Sequence, residues 1–112
     1  MKKWIKVATA AALGVAMSAS AANAAWEKVV IATEGAYPPF NEIDANGKAI
    51  GFDVDIANAL CESAGLTCEI VTQDWDGMIP GLLAKKYDAI IAQMSITEER
   101  KRSIDFTNYY SA

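Results

Sequence analysis

The 112-residue sequence contains no histidine, and its only cysteines are Cys61 and Cys68. Two thiols without an imidazole cannot supply the usual ligand set of a zinc centre, and no histidine is available as a general base. No metal or other cofactor is therefore expected. The three prolines are Pro38, Pro39 and Pro80. No apolar run approaches the roughly 20 residues that cross a bilayer. The longest, Val7 to Met17, is interrupted by Thr9 and Gly14. Internal repeats and low-complexity tracts are absent from residues 25–112.

What the N-terminus does have is the pattern of an export signal. Lys2, Lys3 and Lys6 precede the apolar run, and small residues lead to Ala22-Asn23-Ala24. This small-x-small ending predicts cleavage after Ala24, giving residues 1–24 as a signal peptide. A membrane anchor is the competing reading, and the run is too short for it. No cysteine stands at the cleavage site to carry a lipid, so a soluble exported product is expected, without membrane insertion once the signal is removed.

Loss of the signal changes the charge. The whole chain carries 10 Lys and Arg against 14 Asp and Glu. Removing three lysines leaves seven basic residues and a net charge of −7. A surface of that sign repels phosphate backbones and anionic membranes, so no nucleic acid is expected as a partner. In an exported chain, the C-x6-C pair of Cys61 and Cys68 is expected to form a disulfide. Two reduced thiols are the alternative.

The remaining pattern is that of an α/β fold. Lys28 to Thr33 is β-branched and apolar and reads as a buried strand. Tyr37-Pro38-Pro39-Phe40 must be a stiff loop, because Pro39 forbids Pro38 the helical region. Phe40 to Glu42 and Ala49 to Phe52 are expected to pair across Asn46-Gly47. A helix is predicted from Asp53, with Ile56, Ala57, Leu60, Cys61 and Ala64 on one face and Gly65 as its stop. Strand Cys68 to Thr72 follows, so the disulfide would staple a helix end to the strand it feeds. Asp76 is expected to cap a second helix running to Lys86. Asp88 to Met94 reads as a central parallel strand. Thr97 is expected to cap a short third helix, and Ile104 to Phe106 to form a last strand. Strands alternating with helices imply a largely parallel sheet.

In open parallel sheets, ligands gather at the carboxyl ends of the strands. Those ends bring forward Glu34, Tyr37, Trp75, Ser95 and Arg100. Arg100, in the third position of a helix, is misplaced beside the positive end of the helix dipole. It makes sense there if it joins the amides around Ser95 to Thr97 in holding an anion, and a carboxylate suits its fork. The alternative is a surface arginine paired with Glu98 or Glu99. Tyr37 and Trp75 could wall an apolar slot, or be ordinary packing. Glu34 could receive a cationic tip, or be an exposed loop acid.

Several segments together resemble a known family. They are Ala32-Thr33-Glu34-Gly35-Ala36-Tyr37-Pro38-Pro39-Phe40, Gly51-Phe52-Asp53-Val54-Asp55, Asp74-Trp75-Asp76-Gly77-Met78-Ile79-Pro80, Lys85-Lys86-Tyr87-Asp88-Ala89-Ile90 and Met94-Ser95-Ile96-Thr97-Glu98-Glu99-Arg100. In this order they resemble the bacterial family 3 solute-binding proteins, in particular the lysine/arginine/ornithine-, histidine- and opine-binding group. That group also carries the C-x6-C disulfide.

The resemblance implies a periplasmic binding protein-like fold of type II, in which two α/β lobes close over a ligand. Residues 25–112 would be an incomplete first lobe, with the second lobe absent. It implies Arg100 and Ser95 on the ligand α-carboxylate, Glu34 at the distal charge, and Tyr37 and Trp75 as flanking aromatics. Positions matching Ala92 and Gln93 line the cleft; many amino-acid binders have serines there, so the ligand itself stays open.

The implied function is that of a monomeric receptor in amino-acid transport, not an enzyme. It would hand a cationic amino acid or an arginine-derived opine to the membrane permease of an ABC importer. A sensor ectodomain and a dehydratase-like enzyme are the competing functions. Half a cleft offers half the contacts, so residues 25–112 alone are expected to bind weakly or undetectably and to be marginally stable.

Overall fold

The structure, a computed structural model, describes residues 28–111. The expected signal peptide lies outside the described residues. Strand β1 (Lys28–Thr33) is the centre of a three-stranded parallel sheet. Its neighbours are β5 (Thr67–Thr72) on one side and β6 (Ala89–Ile90) on the other. A second, antiparallel sheet of β2 (Ala36–Tyr37), β3 (Asn41–Ile43) and β4 (Ala49–Ile50) has β3 at its centre. It contains the hairpin expected across Asn46-Gly47, where Gly47 N donates to Asp44 O.

Alternation along β1 divides the core between two faces of the sheet. Ile31 packs with Ala57 and Cys61 of helix α1 (Phe52–Ala64). Ala32 packs on the other face with Met78, Tyr87 and Ala92. Met78 opens helix α2 (Met78–Leu83). The Tyr87 hydroxyl donates to the carbonyl oxygens of Gly77 and Met78, tying that helix entry to the core.

Helix α1 stops as its sequence predicts. Gly65 adopts φ 70°, and the amides of Gly65 and Leu66 return to the carbonyls of Glu62 and Cys61. This left-handed closure satisfies two of the carbonyls that a helix end exposes. Cys61 and Cys68 are disulfide-bonded, with Cα atoms 6.1 Å apart, and join the last turns of α1 to β5.

Helix α1 begins at Phe52, one residue ahead of the predicted start, with Gly51 before it and Asp53 fully buried in its first turn. Four expectations are corrected. Asp76 caps nothing, because Trp75–Gly77 form a 3-10 turn and α2 begins at Met78 without a side-chain cap. That helix ends at Leu83 rather than Lys86, since Lys85 turns left-handed at φ 62°. Lys85 and Lys86 close it with the same pair of returning bonds as at Gly65, here to Leu82 and Gly81. The strand expected over residues 88–94 is confined to Ala89–Ile90, and Gln93 at φ 58° turns the chain away from the ladder. Ile104 to Phe106 form no strand, for they meet no ladder partner among the described residues.

Candidate functional site

Parallel register aligns the strand ends that carry the candidate residues. Thr33 faces Thr72, and Ala32 faces Ile90. Glu34 therefore leaves the sheet beside Gln73, whose amide donates to Thr33 O. Trp75 follows two residues later. Ala92 and Gln93 lie just beyond the end of β6 on the same edge.

Thr97 caps helix α3 (Glu98–Lys101) as expected, its Oγ1 accepting from Arg100 N at 3.1 Å. The cap fixes the backbone of Arg100, and two further contacts fix its side chain. One guanidinium N–H donates to Ser95 O at 2.8 Å, and the guanidinium carbon lies 5.5 Å from the centre of the Trp75 ring. The surface ion pair considered for Arg100 is not formed; Glu98 pairs instead with Lys101 at 3.0 Å. Ser95 O is the one hydrogen-bond acceptor for the guanidinium among the described residues. Most of its donor fork is thus free to meet a ligand.

Five of the seven candidate residues border two hollows. A recess of about 260 Å3 is lined by Trp75, Asp76, Ile79, Pro80, Met94 and Arg100. A larger one, about 390 Å3, runs between residues 88–96 and 104–111 and includes Ala92, Gln93 and Ser95. Met94 borders both. The smaller carries the free cation and the aromatic face, so it has the stronger chemistry despite its size.

Glu34 and Tyr37 border neither hollow. Tyr37 is half exposed and stacks on Phe40, with ring centres 5.2 Å apart. Glu34 is partly exposed, on the loop between β1 and β2. Ala92, at the edge of the larger hollow, also packs its methyl in the core with Ala32, Met78 and Tyr87, at 4% exposure. The Gln93 amide is likewise engaged within the protein, donating to Asp53 Oδ1 at 2.6 Å.

A buried polar cluster beneath these loops went unrecognised in the sequence. Asn41 and Asp53 are both fully buried, and Asn41 Nδ2 donates to Asp53 Oδ2 at 2.9 Å. Asn41 Oδ1 accepts from Gly35 N at 2.7 Å and Ala36 N at 3.3 Å, the two amides between Glu34 and Tyr37. Asp53 Oδ1 also accepts from the Tyr110 hydroxyl at 2.7 Å. Burial, the hydrogen bond to Asp53 and the charge of Asp53 together push the Tyr110 hydroxyl well above its ordinary pKa, the bond from Gln93 acting weakly against them. A signal for the cluster was present: Asp53 precedes Ala57 and Cys61 by four and eight residues, and so shares their buried helix face.

Comparison with known proteins agrees with this arrangement. The family model described as bacterial extracellular solute-binding proteins, family 3, matches residues 29–112. An L-arginine-binding protein of Pseudomonas aeruginosa is 49% identical over 105 residues, covering 94% of this chain and 40% of its own length. An octopine-binding periplasmic protein of Rhizobium meliloti is 53% identical over 90 residues, covering 80% of this chain and 31% of its own length. The chain thus spans less than half the length of either relative. Among solved structures, the arginine-bound form of domain 1 from TmArgBP is similar with a TM-score of 0.71 and 42% identity. The match covers 75% of this chain and 67% of that one.

Proposed function

Because this chain belongs to the bacterial extracellular solute-binding proteins of family 3, we propose that it is the ligand-recognising part of a periplasmic receptor for a cationic amino acid or an arginine-derived opine. The observation that carries this reading is the Arg100 guanidinium, seated over Trp75 and tethered to Ser95 O at the rim of an open recess. A fork held in place by one carbonyl and one ring has little freedom left to lose when it meets a carboxylate.

In this reading Arg100 takes the ligand α-carboxylate, and Trp75 covers its aliphatic stem. Glu34, on the neighbouring loop, and Tyr37, in β2, meet the distal cation. Gln93 and Ala92 shape the cleft floor without direct polar contact, since the Gln93 amide is held by Asp53 and the Ala92 methyl by the core. Residues 25–112 constitute the larger part of a first lobe, preceded by a cleaved signal over residues 1–24. In a protein of the relatives' length a second lobe would close the cleft and dock on the permease of an ABC importer.

Binding rather than catalysis is the function we assign. Both relatives are named as binding proteins. The arginine-bound form of domain 1 from TmArgBP favours measurable affinity in this chain too, over the undetectable end of the expected range.

A thermal-shift panel with arginine, lysine, ornithine, histidine, octopine, nopaline, glutamine and glutamate tests the proposal. The expected result is a rise in melting temperature with cationic ligands that grows with their concentration, as linkage requires. A flat response throughout, or a rise with glutamate alone, would overturn the cationic assignment.

A further inference from the structure

Beneath the proposed site, one continuous set of hydrogen bonds joins three distant stretches of chain. The Tyr110 hydroxyl and the Gln93 amide both donate to Asp53 Oδ1, at 2.7 and 2.6 Å. Asn41 donates to the other carboxylate oxygen, and its own carbonyl holds the amides of Gly35 and Ala36. Every donor on Asp53 is neutral; among the described residues the carboxylate has no cationic partner. It is fully buried in the first turn of α1, where the helix dipole favours its charge.

Burying a carboxylate this completely is costly unless its oxygens are filled. The α/β core does not require it, for an apolar residue at the same position would continue the face of Ala57 and Cys61. Its partners explain its presence. Asn41 orients the loop carrying Glu34 and Tyr37, and Gln93 holds the left-handed turn that ends β6. Tyr110 belongs to the last described residues, more than fifty positions from Asp53, and its ring lies against Phe52 with centres 6.1 Å apart.

We infer that Asp53 is a positioning residue that couples the Tyr110 segment to the Glu34–Tyr37 loop, so that moving the Tyr110 hydroxyl alters how that loop presents its acid and ring to a ligand. The coupling rests on the receptor reading for its consequence in binding, but not for its consequence in geometry. Because Asp53 shares its two oxygens among three donors, loss of one donor frees the carboxylate to shift toward the others. Asn41, with both ends of its amide engaged, transmits that shift to the Gly35 and Ala36 amides.

The test uses the whole chain with Tyr110→Phe, which removes one hydroxyl and keeps the ring. Tyr110 is 43% exposed, so the variant is expected to fold. Two readouts are taken: 15N–1H amide shifts without ligand, and L-arginine affinity by calorimetry. The expected result is displacement of the Gly35 and Ala36 resonances and an affinity lowered by about five-fold, the scale of one net hydrogen bond. A tyrosine that served stability alone would lower the melting temperature and leave those two amides in place, which would overturn the inference. Wild-type affinity in the variant would overturn its binding consequence. Failure of the wild-type chain to bind arginine or any related cation would count against the receptor reading instead, and the amide shifts would still decide the coupling. Should Tyr110→Phe not fold, Gln93→Ala breaks another bond to the same oxygen and is read on the same two amides.

Discussion

The Arg100 guanidinium lies over the Trp75 ring, 5.5 Å from its centre, although the two residues leave the sheet from different strands. Each organises the other: the ring limits where the fork can turn, and the cation favours one face of the indole. Arg100→Ala is expected to abolish measurable cationic-ligand binding, with a loss on the order of 2–5 kcal/mol, because the ligand carboxylate would be left without its counter-charge. Arg100→Lys should recover only part of it, as an ammonium lacks the planar fork. Calorimetric titration of the two variants checks both.

The Cys61–Cys68 bridge closes a short loop between the end of α1 and β5. On the chain-entropy account, Cys61→Ser with Cys68→Ser should lower stability by about 2–3 kcal/mol. Denaturant unfolding of the double variant, compared with the oxidised chain, measures it. Ligand specificity should be unchanged, since the bridge lies at the opposite end of β5 from Trp75.

Gly51 combines φ 122° with a tight surrounding: a Cβ there would meet Phe40 O at 2.5 Å and Pro39 O at 2.9 Å. Only glycine adopts this backbone region readily. Gly51→Ala is expected to cost more than about 2 kcal/mol in strain and displaced backbone. It would also disturb the bonds from Phe52 N and Asp53 N to Pro39 O and Phe40 O. Gly47→Ala has positive φ but open space around it, and should cost less. Paired thermal melts of the two variants separate the contributions.

The raised pKa values of Tyr110 and Tyr87 carry a direction in pH. Burial is the first cause in both, with Asp53 adding to it at Tyr110. A phenol whose proton is held more tightly in the folded state stabilises fully below its unfolded value of about 10. That contribution is lost progressively as pH climbs above 10 toward the folded value. The melting temperature should therefore fall on the alkaline side of pH 10, and less steeply in Tyr110→Phe than in the wild type. Scanning calorimetry from pH 8 to 11.5 makes the comparison.

What could be read from the sequence was local. The β-branched run of Lys28–Thr33, the stop at Gly65 and the cap at Thr97 each depend on neighbours a few residues away, and each is present. The left-handed turns at Lys85 and Gln93 carry no such mark, because neither residue is glycine. Their conformations follow from where the chain is pulled: Lys85 by the closing bonds of α2, Gln93 by Asp53. The same limit applies to the site. Arg100 announced itself by an electrostatic misfit within one helical turn. The partnership of Asp53 with Tyr110 spans 57 positions and left only the buried-face spacing as a trace.

The position of β1 in the middle of the parallel sheet also orders events in time. Its partners come much later in the chain, Lys28 pairing with Thr67 and Ile31 with Ala89. A ribosome or translocation channel delivering the N-terminus first would hold this apolar strand unpaired while the β3–β4 hairpin and α1, built from near neighbours, were already able to form. Only the emergence of β5 gives it a ladder. Until then the segment most in need of cover is the one that has waited longest, and the vulnerable period of this protein is set by how quickly residues 67–72 follow.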